Sequence, residues 1–415
     1  MNTNPLNNIS FDNTKYAFEY KSTAELKKAR LLFSCMGQPL FIKLGLKIMP
    51  FAIKWKLPFI QLIIRKTIFS QFVGGETLQK TINVVKKLED YAVQVILDYG
   101  VEGKEGENAF DSATKEFINV INYASTQHNI PFISIKVTGL SRFSLLEKIE
   151  SLMMQHDSGS LLKSYSHASD MLNDDEKIEL AKVIERLTTI CKYAKEKNVA
   201  VLIDAEESWI QSPVDAMVTL MMIAFNKEKS IIYNTIQLYR HDRLQFLKNN
   251  FSIAQENNFI LGVKLVRGAY MEKERLRALE MNYLSPIQKT KEDTDKDYNN
   301  AIEFSINNIN KIATIIASHN EHSNLLTTQL MLRNNIPFNH PHIHFSQLYG
   351  MSDNITFNLA KMGCSVSKYL PFGPIKDVVP YLMRRAQENS SVAGQTGREL
   401  GLIKTELKRR NTNNA

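Results

Sequence analysis

From residue 90 onward the chain alternates between two hydrophobic periods. Short, mostly apolar, β-branched runs occur at Val93–Asp98, Phe132–Val137, Ala200–Asp204, Ile232–Leu238, Leu261–Val266, Ala313–Ala317, His342–Ser346 and Ser365–Tyr369. Between them lie longer segments with apolar residues at helical spacing, as in Asp175–Glu196, Leu244–Asn257 and Tyr298–Ile312. The short runs read as buried strands and the longer ones as amphipathic helices. Strands that alternate with helices pair in parallel, because each helix is the crossover that returns the chain to the same end of the sheet. Eight such units without a Gly-rich dinucleotide turn predict an α/β fold, a closed (βα)8 barrel of TIM type. An open doubly wound sheet is the competing topology. The connection Ser141–Asp174 is oversized and is expected to carry helices of its own.

The first part of the chain reads differently. Lysines and arginines interrupt the apolar stretch Leu40–Gly74 at Lys43, Lys47, Lys54, Lys56, Arg65 and Lys66, too often for a bilayer span. Their near-helical spacing predicts amphipathic helices, packed on the barrel or lying on a membrane. The expected division is a basic helical accessory region over 1–88, the barrel over 89–395 and a C-terminal tail over 396–415. The polar opening Met1–Ser22 lacks the apolar core of a secretory signal.

Composition narrows the class. Hydrophobic residues make up 44% and charged residues 23%, the balance of a folded globular chain rather than a disordered one. Cys35, Cys191 and Cys364 lie far apart, which suits neither a disulfide framework nor a zinc ribbon and points to a reducing, cytoplasmic setting. The net charge of +8 is carried within the first 80 residues, where twelve Lys and Arg face only Asp12, Glu19, Glu25 and Glu76. A nucleic-acid binder would not leave its larger part neutral, so no nucleic-acid partner is expected. A basic, apolar leading region suits peripheral contact with the anionic inner face of the cytoplasmic membrane, or a solvated face.

Chemistry in a β/α barrel collects at the carboxyl ends of the strands. Polar residues stand at nearly every one: Asp98 to Glu102, Lys136, Asp204 with Glu206 and Glu207, Gln237, Lys264 with Arg267-Gly268-Ala269-Tyr270, Ser318-His319, and Tyr369. Lys136 reads as a Schiff-base nucleophile or as a charge partner for an anion. Asp204 could ligate a metal, act as a base or orient a neighbour. Small residues beside cations in the run 264–270 suit close approach to a pyrophosphate. His342 and His344 alternate on the seventh strand but at its start, the stability face, so no metal site is expected. On the last predicted helix, Asp377 to Glu388, Tyr381, Arg384, Arg385 and Glu388 share one face. Paired guanidinium groups there would hold a carboxylate or phosphate in bidentate fashion.

The segments Ile203-Asp-Ala-Glu-Glu207, Val263-Lys-Leu-Val-Arg-Gly-Ala-Tyr270, Ser318-His-Asn320, Gln347-Leu-Tyr-Gly350, Lys368-Tyr-Leu-Pro-Phe-Gly-Pro374 and Tyr381-Leu-Met-Arg-Arg-Ala-Gln-Glu-Asn389 together resemble the FAD-dependent proline dehydrogenase (proline oxidase) family, in the family's order. The resemblance implies oxidation of L-proline to 1-pyrroline-5-carboxylate, the first step of proline catabolism to glutamate, with electrons passed to a membrane quinone. It implies that Lys136, Arg384 and Arg385 bind the substrate carboxylate and that Tyr369, Tyr381 and Leu348 enclose the ring. Asp204 would orient Tyr369 beside the flavin, Lys264 would stand near the flavin N5, and Glu102 would be a gate acid pairing with Arg384. Ala205, Gln237, Lys264, Arg267, Gly268, Ala269, Ser318, His319 and Glu388 would contact FAD. Lys264 and Ser318 replace an arginine and a threonine that are common in the family. Hydroxyproline oxidation, and a Schiff-base lyase built on Lys136, are the competing activities. No fused aldehyde dehydrogenase domain is visible, so a monofunctional enzyme is expected.

Overall fold

A computed structural model describes residues 9–38, 60–100, 105–391 and 393–413. Eight parallel strands close into one barrel in sequence order: β1 (Gln94–Tyr99), β2 (Phe132–Ile135), β3 (Ala200–Ile203), β4 (Ile232–Gln237), β5 (Leu261–Val266), β6 (Ile312–Ala317), β7 (Ile343–Leu348) and β8 (Val366–Phe372). All eight coincide with the predicted runs to within a few residues, and the pairing of β1 with β8 excludes the open sheet. The oversized connection between β2 and β3 carries helices Phe143–Gln155 and Leu161–Asp170 ahead of Asp174–Lys197.

Strand alternation divides the barrel into two layers of packing. One set of side chains meets the surrounding helices, among them Val95 and Leu97 of β1, Val201 and Ile203 of β3, and Val263 and Leu265 of β5. The opposite set fills the interior with Ile96, Phe132, Ala200, Leu202, Tyr233, Ala313 and Ile315. Both faces are buried, which is why these strands read as continuous apolar runs rather than alternating ones. Each fully buried Leu, Ile or Val contributes about 1.5–3 kcal/mol.

A second core lies apart from the barrel wall. Helix Thr23–Met36 begins at a capping box, in which Ser22 and Glu25 satisfy each other's backbone donors. It turns Leu26, Ala29, Phe33 and Met36 inward, at the spacing of one helix face. They pack with Phe18 of helix Thr14–Phe18, with Val378 and Leu382 of helix Ile375–Ser391, and with Leu402, Ile403 and Leu407 of helix Ala393–Asn413.

The helix carrying Arg384 and Arg385 is therefore not the last. The expected boundary at 395 falls inside the helix Ala393–Asn413, whose apolar stripe is covered by the N-terminal helices. Hydrogen bonds to charged side chains anchor it as well. Thr14 donates to Glu406 at 3.1 Å, and Arg410 donates to the carbonyls of Phe18 and Lys21, each at 2.8 Å. Among the described residues no helix is long and apolar enough to cross a membrane.

Candidate active site

Two-residue periodicity places the first half of the site. In β2 and its extension, Phe132, Ser134 and Lys136 share the interior face, while Ala200, Leu202 and Asp204 do so in β3 and its extension. The apolar member of each series packs in the barrel, and the charged member emerges at the carboxyl end. There the Asp204 carboxylate is the hub. It accepts a hydrogen bond from Ser134 Oγ at 2.7 Å and one from the Tyr369 hydroxyl at 2.8 Å. Lys264 Nζ pairs with it directly, and Lys136 Nζ stands 3.5 Å away.

Burial alone would raise the pKa of Asp204, but the two ammonium groups overcome it and hold the carboxyl well below the usual carboxylate range. Burial and the adjacent Asp204 charge push the Tyr369 phenol above its ordinary value. Tyr369 is therefore a neutral donor to a fixed anion. The acidic run that follows disperses, as strand geometry dictates. Asp204 faces the cavity, Glu206 accepts from the Thr138 hydroxyl at 2.7 Å, and Glu207 pairs with Lys273.

Asp204 opens onto a cavity of about 620 Å³ at the barrel mouth. Fifteen of the seventeen residues singled out from the sequence line it: Lys136, Asp204, Ala205, Gln237, Lys264, Arg267, Gly268, Ala269, Ser318, His319, Leu348, Tyr369, Tyr381, Arg384 and Arg385. Glu102 and the side chain of Glu388 lie outside the described residues. Seven Lys and Arg against five Asp and Glu leave the wall cationic, suited to an anionic occupant.

The β5 and β6 side of the cavity is rigid. Arg267 donates to Asp295 at 2.7 Å, to Ser318 Oγ at 2.8 Å and to Ser323 Oγ at 3.0 Å, with its guanidinium 4.3 Å above the Tyr298 ring. Gly268 has φ +137°, and a Cβ there would lie 2.5 Å from the Tyr239 ring, so only glycine brings the backbone to this surface. Gln237 donates to the Glu206 carbonyl at 3.0 Å, while its buried Oε1 has no partner among the described residues. His319 Nδ1 lies 2.8 Å from Ser352 Oγ. Burial first, and the charges of Lys368, Arg385 and Arg267 after it, push the imidazole down to about 3, so it is neutral at working pH.

Helix Ile375–Ser391 supplies a further part of the wall. Arg385 is buried, with its guanidinium 5.1 Å from the Tyr381 ring centroid, and Arg384 lies 5.9 Å from that of Tyr270. Lys136 and the arginine doublet thus line one cavity. The sequence reading missed Ser352, Arg398 and Glu399, which line the same space. The last two fall in or beside the stretch read as a tail. Its helical signal was present in Leu402, Ile403, Glu406, Leu407 and Arg410, spaced for one face. His342 and His344 lie at the start of β7, the opposite end of the barrel. Among the described residues no group of three His, Cys, Asp or Glu is arranged to hold a metal ion.

Residues 81–398 match the family model described as proline dehydrogenase. The chain is 35% identical over 401 residues to mitochondrial proline dehydrogenase 1 of Dictyostelium discoideum, covering 89% of this chain and 68% of that one. It is 30% identical over 420 residues to hydroxyproline dehydrogenase of Xenopus laevis, covering 95% of this chain and 88% of that one. Its fold is similar to that of proline utilization A (PutA) from Bdellovibrio bacteriovorus inactivated by N-propargylglycine, with a TM-score of 0.67 at 20% identity. That likeness covers 92% of this chain but only 38% of PutA, so it bears on the barrel fold alone. The long family match and the close relative agree with the cavity's composition: the chain belongs to the proline dehydrogenase family, FAD-dependent oxidoreductases that act on proline.

Proposed function

We propose that the barrel-mouth cavity oxidises L-proline to 1-pyrroline-5-carboxylate. The observation that carries this reading is the convergence of Lys136, Arg384 and Arg385 on one cavity that also holds the Tyr369–Asp204 pair. The residues present fit FAD. The buried, unpartnered Gln237 Oε1 and the close backbone approach at Gly268 are what a large planar, hydrogen-bonding group beside a phosphate requires. Ala205, Gln237, Lys264, Arg267, Gly268, Ala269, Ser318 and His319 would hold it. When bound, FAD supplies the two-electron acceptor.

The chain's own residues supply position and electrostatics. Proline's carboxylate is gripped by Lys136 and by the guanidinium doublet, which fixes the ring's orientation before reaction. Tyr369, Tyr381 and Leu348 form the ring's walls and exclude water. Asp204 accepts from the Tyr369 hydroxyl and pairs with Lys264 and Lys136, one negative charge against two positive ones, so the cluster is fixed and keeps a net cationic charge toward the substrate carboxylate. Lys136 beside that carboxylate suits an anion partner better than a Schiff-base amine.

Flavin bands in the absorption spectrum of the purified protein should bleach on addition of L-proline. A yellow protein that does not bleach would overturn this reading, and borohydride trapping of substrate on Lys136 would replace it with the lyase. The barrel is the catalytic unit in this reading, and the helical region before residue 88 together with helix Ala393–Asn413 is its accessory part.

Electrons then pass to a membrane quinone, and the basic N-terminal region makes the peripheral membrane contact from the cytoplasmic side. Support for this comes from Lys27, Lys28, Arg30 and Lys66 beside the exposed Leu31, Leu62 and Ile63. Flotation with anionic but not neutral vesicles, together with proline-dependent reduction of a short-chain quinone, tests both parts.

A further inference from the structure

Glu399 is a buried carboxylate that the proposed reaction does not use. It stands one residue beyond the stretch matched by the family model, on helix Ala393–Asn413, and yet it lines the cavity. Its Oε2 accepts from the backbone N–H of Ser352 at 3.1 Å.

Ser352 is held in an uncommon state. Its φ of 50° and ψ of 44° put a residue with a Cβ in the left-handed region, where the chain stays only when its surroundings over-determine it. Three groups do so here. Glu399 takes the Ser352 amide, the wholly buried Lys368 donates to the preceding Met351 carbonyl at 2.6 Å, and the Ser352 hydroxyl meets His319 Nδ1 at 2.8 Å. His319 has no other route to a fixed ring orientation among the hydrogen bonds of the described residues, and its ring faces the cavity.

The helix that brings Glu399 is itself tied down, to the barrel helix Glu321–Arg333 and to the N-terminal region. Arg398 is shared between Glu321 and Asp12, Glu406 accepts from Thr14, and Arg410 clasps the carbonyls at the end of helix Thr14–Phe18. A chain of contacts therefore runs from the N-terminal helices through Glu399 and Ser352 to an imidazole in the cofactor wall.

We infer that Glu399 is a positioning residue for the flavin: through the Ser352 turn it orients His319, so cofactor retention depends on the C-terminal helix. The inference rests on the reading of this cavity as the FAD site. It predicts that Glu399→Leu weakens FAD binding to the apoprotein about tenfold, the size of effect of leaving one buried backbone N–H without its acceptor. Glu399→Gln keeps a carbonyl acceptor for the Ser352 amide and should stay within about threefold of wild type. Ser352→Ala should weaken FAD binding like Glu399→Leu, and combining the two should add little, since both act on the same imidazole.

Fluorescence titration of apoprotein with FAD gives the affinities of wild type and the four variants, and circular dichroism establishes that each variant is folded. A folded Glu399→Leu that binds FAD within twofold of wild type overturns the inference, and so do fully additive losses in the double variant. If Glu399→Leu does not fold, Ser352→Ala decides: unchanged FAD affinity there also overturns it. Proline bleaching of the wild-type flavin is scored separately. FAD affinities that follow the predicted order support the positioning role even if proline does not bleach the flavin, an outcome that sinks only the proposed reaction.

Discussion

The two walls of the cavity are built on different physical plans. The β2, β3, β5 and β8 side is made by strand register. Ser134, Asp204, Lys264 and Tyr369 come from four strands or their ends, and the Asp204 carboxylate joins them by hydrogen bonds and an ion pair. The side built by helix Ile375–Ser391 and helix Ala393–Asn413 depends on a second core, formed from the two ends of the chain and joined by a long-range ion pair and a long-range hydrogen bond. Register is cooperative and closes on itself, so the barrel wall is stiff. The second wall rests on side-chain contacts that can be removed singly, so it is the place where binding can be tuned without dismantling the fold.

The largest expected effect is on the barrel side. Asp204→Ala leaves Lys264 buried beside Lys136 with no carboxylate between them. Breaking a buried ion pair from one side costs about 3–5 kcal/mol, to be read from urea denaturation. A loss below about 1 kcal/mol would mean that water or relaxation compensates the cluster, and that the wall is not stiff.

On the opposite wall the effect should fall on binding instead. Arg385→Met removes charge-assisted hydrogen bonds to the substrate carboxylate and should raise KM for proline about a hundredfold, with flavin content near normal. An unchanged KM would remove the doublet from the substrate site.

Tyr369 stands between the two walls, and its bulk should crowd a 4-hydroxyl group on the ring. The native enzyme should favour proline over trans-4-hydroxyproline at least about tenfold in kcat/KM, and Tyr369→Ala should narrow the ratio. The relation to a hydroxyproline dehydrogenase makes this a pointed test. Comparable efficiency on both substrates would refute the assignment of Tyr369.

The smallest effect concerns pH. Burial first, then the negative charge of Asp353, push the Glu399 carboxyl up to about 7, against the lowering influence of Lys21 and Lys368. The folded value lies above the ordinary 4.5, so the folded protein holds a proton that the unfolded chain has released. That contribution to stability is complete below pH 4.5 and is lost as pH rises through about 7. Glu399→Gln does not titrate, so its urea midpoint should gain on wild type between pH 5 and pH 8. A constant difference across that range would show that the carboxyl does not titrate in the fold.

The strands were legible because both of their faces are buried, so each announces itself as an apolar run ended by a polar residue. Asp204 and Lys136 stood out for that reason, and two-residue periodicity was enough to aim them at the barrel mouth. The Arg384-Arg385 pair was legible from its shared helical face and from the motif around it. The role of the last helix was not. Leu402, Ile403 and Leu407 mark an apolar stripe, but nothing local says that Leu26 and Phe33, more than 360 residues earlier, will cover it. Ser352 was equally hidden, since a serine in the left-handed region looks like any loop serine until Glu399 and His319 are beside it.

The sequence by itself determined the barrel, its order and the residues at its mouth, because period, strand length and helical crossovers are local quantities that one closed topology satisfies. Tertiary structure alone decided that helices from the two ends of the described chain make the second wall, that Asp204 is shared by Lys264, Lys136 and Tyr369, and that Glu399 reaches the barrel-mouth cavity. Those outcomes depend on distances between residues far apart in the chain, and pairing of that kind is set by packing rather than by any local pattern.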